Sequence, residues 1–145
     1  MAVAVSAMAA LFILHAEVDS SSAQCIDYGV CGPDAVYYFD SDGTLEICGS
    51  GEMYNYDDVR APWYSYRENI TKIVIGEDIT YLGKWAFLYC EHLKELTIPI
   101  TLNAATADEC CAFAVCYNIE KMILYGLGEV GQYTPNFETA LISYP

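Results

Sequence analysis

Histidine and positive charge are scarce in this sequence. Two histidines and six basic residues stand against twenty acids, for a formal net charge of −14. The bases, Arg60, Arg67, Lys72, Lys84, Lys94 and Lys121, are spread through the middle of the chain and form no stripe. Charge-driven binding to nucleic acid or to an anionic membrane is therefore disfavoured, because phosphate contacts need Lys and Arg clusters. No C-x-x-C pair occurs, so Cys90, His92, Cys110, Cys111 and Cys116 lack zinc-site spacing. Gly49-Ser50-Gly51 is not followed by Gly-Lys-Ser/Thr, and no serine nucleophile elbow is present. Asp40-Ser41-Asp42-Gly43 opens like a calcium loop but lacks the later ligands and the bidentate Glu at the twelfth position. His15 falls in the apolar N-terminal run, which leaves His92 as the single candidate base, and a lone surface histidine is a weak one. The residues thus offer no catalytic constellation, no metal site and no cofactor.

What is present is apolar and aromatic. Hydrophobic residues make up 54% of the 145-residue chain, enough for one domain with a real core. Disorder is excluded on that composition. Thirteen tyrosines suit half-buried sheet positions or a binding surface, being apolar in body and polar at the tip. Residues 1–23 read as a secretory signal peptide: an apolar run to Ala16, then Ser-Ser-Ser-Ala before Gln24. The basic residue that normally precedes such a run is missing, so a short uncleaved anchor is the alternative, and membrane contact would come only through this segment. Acidity fits an exported, soluble surface protein.

The dominant signal is self-similarity. Ala86-Phe87 and Cys90 reappear as Ala112-Phe113 and Cys116, and Leu93, Leu96 and Ile98 as Ile119, Met122 and Leu124, a step of twenty-six. Ile70, Ile73 and Ile75 match Leu93, Leu96 and Ile98 at a step of twenty-three, and Leu45 and Ile47 match Ile73 and Ile75 at twenty-eight. Periods between twenty and thirty mark solenoids of the leucine-rich-repeat kind. Each unit reads as a short strand, a turn, an extended piece and a short helical turn. In the second unit these are Ile73-Val74-Ile75, Gly76-Glu77-Asp78, Ile79 to Gly83, and Lys84 to Cys90, with Trp85, Phe87 and Leu88 directed partly inward. The third unit is longer and predicts a bulge or longer helix over 100–116.

Ahead of the repeats, Val36 to Phe39 and Thr44 to Ile47 flank Asp-Ser-Asp-Gly and predict a β-hairpin. Pro62 opens a turn or first helical turn, and Trp63 is a buried anchor. Cys90 and Cys116 share one repeat position, so free buried thiols are expected there. Cys25, Cys31 and Cys48 flank the hairpin, and a pair among them stays open. The odd total of seven cysteines leaves at least one unpaired in a monomer. The resulting fold class is an α+β repeat solenoid. A hairpin and capping module spans 24–69 and leucine-rich-repeat-like coils span 70–124. Residues 125–145 form a partial further coil, since Leu124 to Tyr133 echoes Ile47 to Tyr56 and the chain then stops before another strand.

The segment from Asp40 to Pro99 resembles the start of a BspA-like leucine-rich-repeat protein. The motifs are Ile98-Pro99, Thr80-Tyr81-Leu82-Gly83 with Leu in place of Ile, and Ala86-Phe87-Leu88-Tyr89-Cys90, preceded by Gly51-Glu52-Met53-Tyr54 and Ala61-Pro62-Trp63-Tyr64-Ser65-Tyr66. The third unit departs, with "TADECC" where that family has Thr-x-Ile-Gly. The resemblance implies a right-handed coil with a short parallel sheet on one face. It also implies a secreted or surface-attached protein that adheres to an extracellular protein or glycan, and it brings no catalytic residues. A repeat segment of a larger secreted enzyme, or a structural spacer, are the alternatives. Candidate binding residues are Tyr54, Tyr56, Tyr64, Tyr66 and Tyr81, with core packing as the competing explanation. Asn69-Ile70-Thr71 is a glycosylation sequon if a eukaryotic cell exports the chain.

Overall fold

The structure is a computed structural model that describes residues 23–56, 59–99, 102 and 111–125. The expected leader at 1–23, most of the bulge or longer helix over 100–116 and the partial coil after Tyr125 lie outside the described residues, with Ala23, Leu102 and 111–116 described. Seven strands are present among the described residues: β1 (Cys25–Val30), β2 (Asp34–Asp40), β3 (Thr44–Glu52), β4 (Lys72–Ile75), β5 (Ile79–Tyr81), β6 (Glu95–Pro99) and β7 (Lys121–Tyr125). The sheet runs in the order β1-β2-β3-β4-β6-β7, with β5 paired to the far end of β3.

The predicted hairpin is β2 and β3, antiparallel, with Phe39 opposite Leu45. Its turn closes by Gly43 N–H donating to the Asp40 carbonyl at 3.0 Å and Thr44 N–H to Asp42 Oδ1 at 2.9 Å. Gly43 sits at φ +87°, where a side chain would also collide with the Asn69 carbonyl. A third antiparallel strand, β1, lies outside this hairpin, with Tyr28 opposite Tyr38. Its sequence, Cys-Ile-Asp-Tyr-Gly-Val, carries an Asp and a Gly and so gives little strand signal.

From β3 onward the sheet is parallel, and its register reproduces the sequence frame. Leu45 faces Ile73, Ile73 faces Leu96, and Leu96 faces Met122. One carbonyl at each strand entrance receives two amides from the next coil. Gly43 O accepts from Thr71 and Lys72, Thr71 O from Lys94 and Glu95, and Lys94 O from Glu120 and Lys121, all at 2.8–3.2 Å. Unequal coil lengths therefore still deliver each strand into the same register.

The short helical turns are not found. Among the described residues there is no α-helix, and the one helical element is a 3-10 helix over Pro62–Tyr66 with Pro at its first turn. Segments 84–89 and 111–115 are hydrogen-bonded turns. The reason is backbone geometry. Trp85, Tyr89, Cys111 and Val115 all have left-handed φ, between 45° and 64°, which a right-handed helix cannot contain. The turns are held instead across the coils, by Phe87 N–H to Ala112 O at 2.8 Å and Tyr89 N–H to Ala114 O at 3.1 Å. The left-handed turn also places Trp85 outward, 37% exposed, contrary to the inward orientation read from its spacing.

The core lies between the sheet's inner face and the turn edge. Phe39, Leu45, Ile47, Ile73, Ile75 and Leu96 project from the strands, and Trp63, Ile70, Phe87, Leu93 and Phe113 meet them. Rings continue from coil to coil: Trp63 stacks on Phe87 at 5.6 Å between centroids, and Phe87 on Phe113 at 4.8 Å. Each such pair contributes about 0.5–1.5 kcal/mol beyond its area burial. Replacing the fully buried Phe87 by Ala is expected to lower stability by about 3–5 kcal/mol, whereas Tyr117→Ala on the surface should stay within about 0.5 kcal/mol. Urea denaturation of both variants measures the difference.

Candidate functional site

The five tyrosines singled out from sequence separate in space. Tyr56 is 7% exposed and packs edge-on against Trp63 at 5.8 Å, with no partner for its buried hydroxyl. Tyr66 packs on the core and stacks on Phe39 at 4.8 Å. Tyr81 is half-buried and donates its hydroxyl to Asn55 Oδ1 at 3.2 Å. Tyr54 is exposed at 48% but belongs to the β3–β5 wall, where its N–H donates to the Cys31 carbonyl.

Tyr64 alone joins a recognisable site. It lines a surface cleft of about 320 Å³ with Arg67, Glu68, Tyr89, Glu91 and His92. The 3-10 helix and its end supply Tyr64, Arg67 and Glu68, and the left-handed turn with its exit supplies Tyr89, Glu91 and His92. Two guanidinium groups lie against the Tyr64 ring, Arg60 at 4.0 Å and Arg67 at 4.5 Å from its centroid. Arg67 donates from Nη1 to the Tyr64 carbonyl and from Nη2 to Glu68 Oε1, each at 3.1 Å. The guanidinium is thereby fixed at the cleft wall, with its side chain 28% exposed.

Three aromatic rings are exposed on the turn segments. Tyr89 is 43% exposed, Tyr117 67%, and Trp85 carries Lys84 Nζ at 5.0 Å over its ring. The repeat step places Tyr117 at the coil position equivalent to Glu91, and Asn118 Nδ2 ties the two coils there by donating to the Glu91 carbonyl at 2.6 Å. Sequence reading passed over Trp85, Tyr89 and Tyr117, because only the left-handed backbone, invisible in the residue types, turns the first two outward.

The six described cysteines, Cys25, Cys31, Cys48, Cys90, Cys111 and Cys116, are free thiols. Cys90 and Cys116 are buried and in contact, as their shared repeat position predicts. The hydrogen bond with Cys116, then burial, holds the Cys90 thiol protonated. Cys116 Sγ also donates to the Phe87 carbonyl at 3.1 Å. Burial pushes Cys31 up to about 12, and burial assisted by Glu46 does the same to Cys48. Depressed thiol values are what make a cysteine nucleophilic, and these are raised. No group of three or more His, Cys, Asp or Glu that could hold a metal is gathered among the described residues. Nor does any helix among them reach the length and apolarity that crossing a membrane requires. Asn69 and Thr71 of the sequon are exposed, with Ile70 fully buried between them.

Parallel strands at a recurring step, one carbonyl relay per coil and inward Phe and Cys at equivalent positions define a leucine-rich-repeat protein. The family profile described as "BspA type Leucine rich repeat region" matches residues 58–142 in six copies, more than half of the chain, which therefore belongs to that family. A solved structure of a leucine-rich repeat protein from Eubacterium ventriosum is 26% identical, covering 52% of this chain and 21% of its own, with a TM-score of 0.46. This chain thus spans about a fifth of that protein's length. No curated protein matches the chain.

Raised thiol values fix a sign for stability against pH. Unfolded cysteines ionise near pH 8.5 while folded Cys31 and Cys48 hold their protons to about 12, so their contribution is complete below about pH 8.5 and is lost as pH rises toward 12. The melting temperature should fall across that window. Alkylation followed by mass spectrometry should label Cys25 and Cys111 first, and Cys31, Cys90 and Cys116 only on unfolding.

Proposed function

We propose that this chain is an exported or cell-surface leucine-rich-repeat binding module that adheres to an extracellular protein or glycan and performs no catalysis of its own. The observation that carries the reading is the turn edge, where Trp85, Tyr89 and Tyr117 are exposed and Tyr89 lines a cleft with the held guanidinium of Arg67. Exposed aromatic rings with a preorganised Arg are the composition of binding hot spots. The scaffold beneath them is rigid, because both the strand entrances and the turns are hydrogen-bonded from coil to coil. A spacer has no need of such an edge, and an enzyme appendage would draw its activity from elsewhere in a longer protein.

On this reading residues 24–69 cap the coil and 70–124 wind right-handed behind the parallel sheet. The family assignment supports a protein-binding repeat module. The test is biolayer interferometry of the full chain against a panel of extracellular matrix proteins and immobilised glycans. A specific partner is expected, and Tyr89→Ala with Tyr117→Ala should weaken it by about tenfold or more, the loss of one or two aromatic anchors. A panel without a single binder, or binding indifferent to both substitutions, counts against the proposal.

A further inference from the structure

The composition of the cleft narrows the ligand class, given the binding reading above. Its polar groups are one guanidinium (Arg67), two carboxylates (Glu68 and Glu91), one imidazole (His92) and two phenols (Tyr64 and Tyr89). An anionic ligand would meet two carboxylates in a chain of net charge −14. A cationic ligand would meet Arg67, with Arg60 close behind across the Tyr64 ring. What remains is an uncharged ligand rich in both donors and acceptors.

The stacking surface is also defined. Tyr64 has both arginines against its ring, which leaves Tyr89 as the aromatic face offered to a ligand. Tyr89 is held from behind by its N–H bond to the Ala114 carbonyl, so the ring is presented from a fixed backbone. Arg67 uses two of its five N–H groups on Tyr64 and Glu68 and can donate further, while Glu91 is exposed and accepts. A pyranose ring carries an apolar C–H face and a rim of hydroxyls that both donate and accept. A volume of about 320 Å³ lies at the small end of ligand sites, which suits one sugar residue rather than an extended peptide.

We propose that the cleft between the 3-10 helix and the Lys84–His92 turn binds one uncharged sugar residue of a glycan, stacked on Tyr89 and hydrogen-bonded by Glu91 and Arg67. Glu91 is the informative residue, because its carbonyl bond to Asn118 is untouched by a change in its side chain.

The experiment is an NMR titration of the full chain with three methyl glycosides, of galactose, mannose and N-acetylglucosamine, and with a sialic acid glycoside as the charged comparison. At least one neutral glycoside should bind with a dissociation constant in the millimolar range and perturb Tyr89, Glu91 and His92 resonances. Glu91→Gln and Tyr89→Ala should each weaken it by about tenfold, roughly one lost hydrogen bond or stacking contact, while Glu77→Gln on the β4–β5 turn leaves it unchanged. Tyr89→Phe should retain binding, which separates stacking from a folding defect. Absence of perturbation by every neutral glycoside overturns the proposal, as does preference for the sialic acid glycoside or binding insensitive to Glu91→Gln. A matrix protein that still binds the chain after those results would leave the module reading standing and remove only the sugar cleft.

Discussion

The indole of Trp63 joins three parts of the chain. Its N–H donates to the Ala86 carbonyl at 2.8 Å, inside the core. Its edge contacts reach Tyr37 of β2 at 5.0 Å and Tyr56 at 5.8 Å, and its face lies on Phe87. One side chain thus fastens the antiparallel hairpin, the wall after β3 and the turn of the following coil. Pro62 presets the backbone that carries it, in a 3-10 helix that has no side-chain cap at Ala61. From Phe87 the contact passes to Phe113, so the aromatic column that begins at the hairpin is the same one that the repeats extend.

Around that column the coils differ in length by up to five residues, yet the strands stay in step. The relay of carbonyls at Gly43, Thr71 and Lys94 explains how. Each fixes the entrance of the next strand before its side chains are buried, and the excess length is taken up on the turn edge. The longest step, between Leu45 and Ile73, is the one that contains the 3-10 helix. Charges on the exposed side follow the same register with alternating sign: Lys94 pairs with Glu120 at 3.4 Å and Glu95 with Lys121 at 3.7 Å. Exposed pairs of this kind add only about 0.2–1 kcal/mol, but like charges at those positions would repel along the stack.

The strand frame was legible in the sequence because burial on one face imposes a period of two, which Leu45 and Ile47, Ile73 and Ile75, and Leu96 and Ile98 obey in successive strands. The hairpin was legible because Asp-Ser-Asp-Gly supplies both the turn acceptor and the left-handed glycine. Strand β1 was not, since pairing to β2 overrides the weak preferences of Asp27 and Gly29. The apolar spacing of Trp85, Phe87 and Leu88 mimics one turn of a helix, and nothing in those residue types reports a positive φ at Trp85 and Tyr89. The five tyrosines separate in space for a related reason. Whether a tyrosine ends in the core, as Tyr56 does, or at the rim, as Tyr64 does, depends on which wall its segment joins.

That same left-handed geometry bears on where binding can reside. Trp85 and Cys111, and likewise Tyr89 and Val115, share a conformation at equivalent positions of successive coils. Non-glycine residues there carry a steric cost of about 1–2 kcal/mol each, so the strain belongs to the architecture and is offset by the inter-coil hydrogen bonds. The backbone is constant while the side chain it displays is free to differ, aromatic in one coil and small in the next. The sheet's entrance row has less of that freedom, since Lys72, Glu95 and Lys121 stand opposite one another with alternating sign and like charges there would repel. A surface whose residues can change without disturbing the stack is where recognition can be varied, and in this chain that surface is the turn edge.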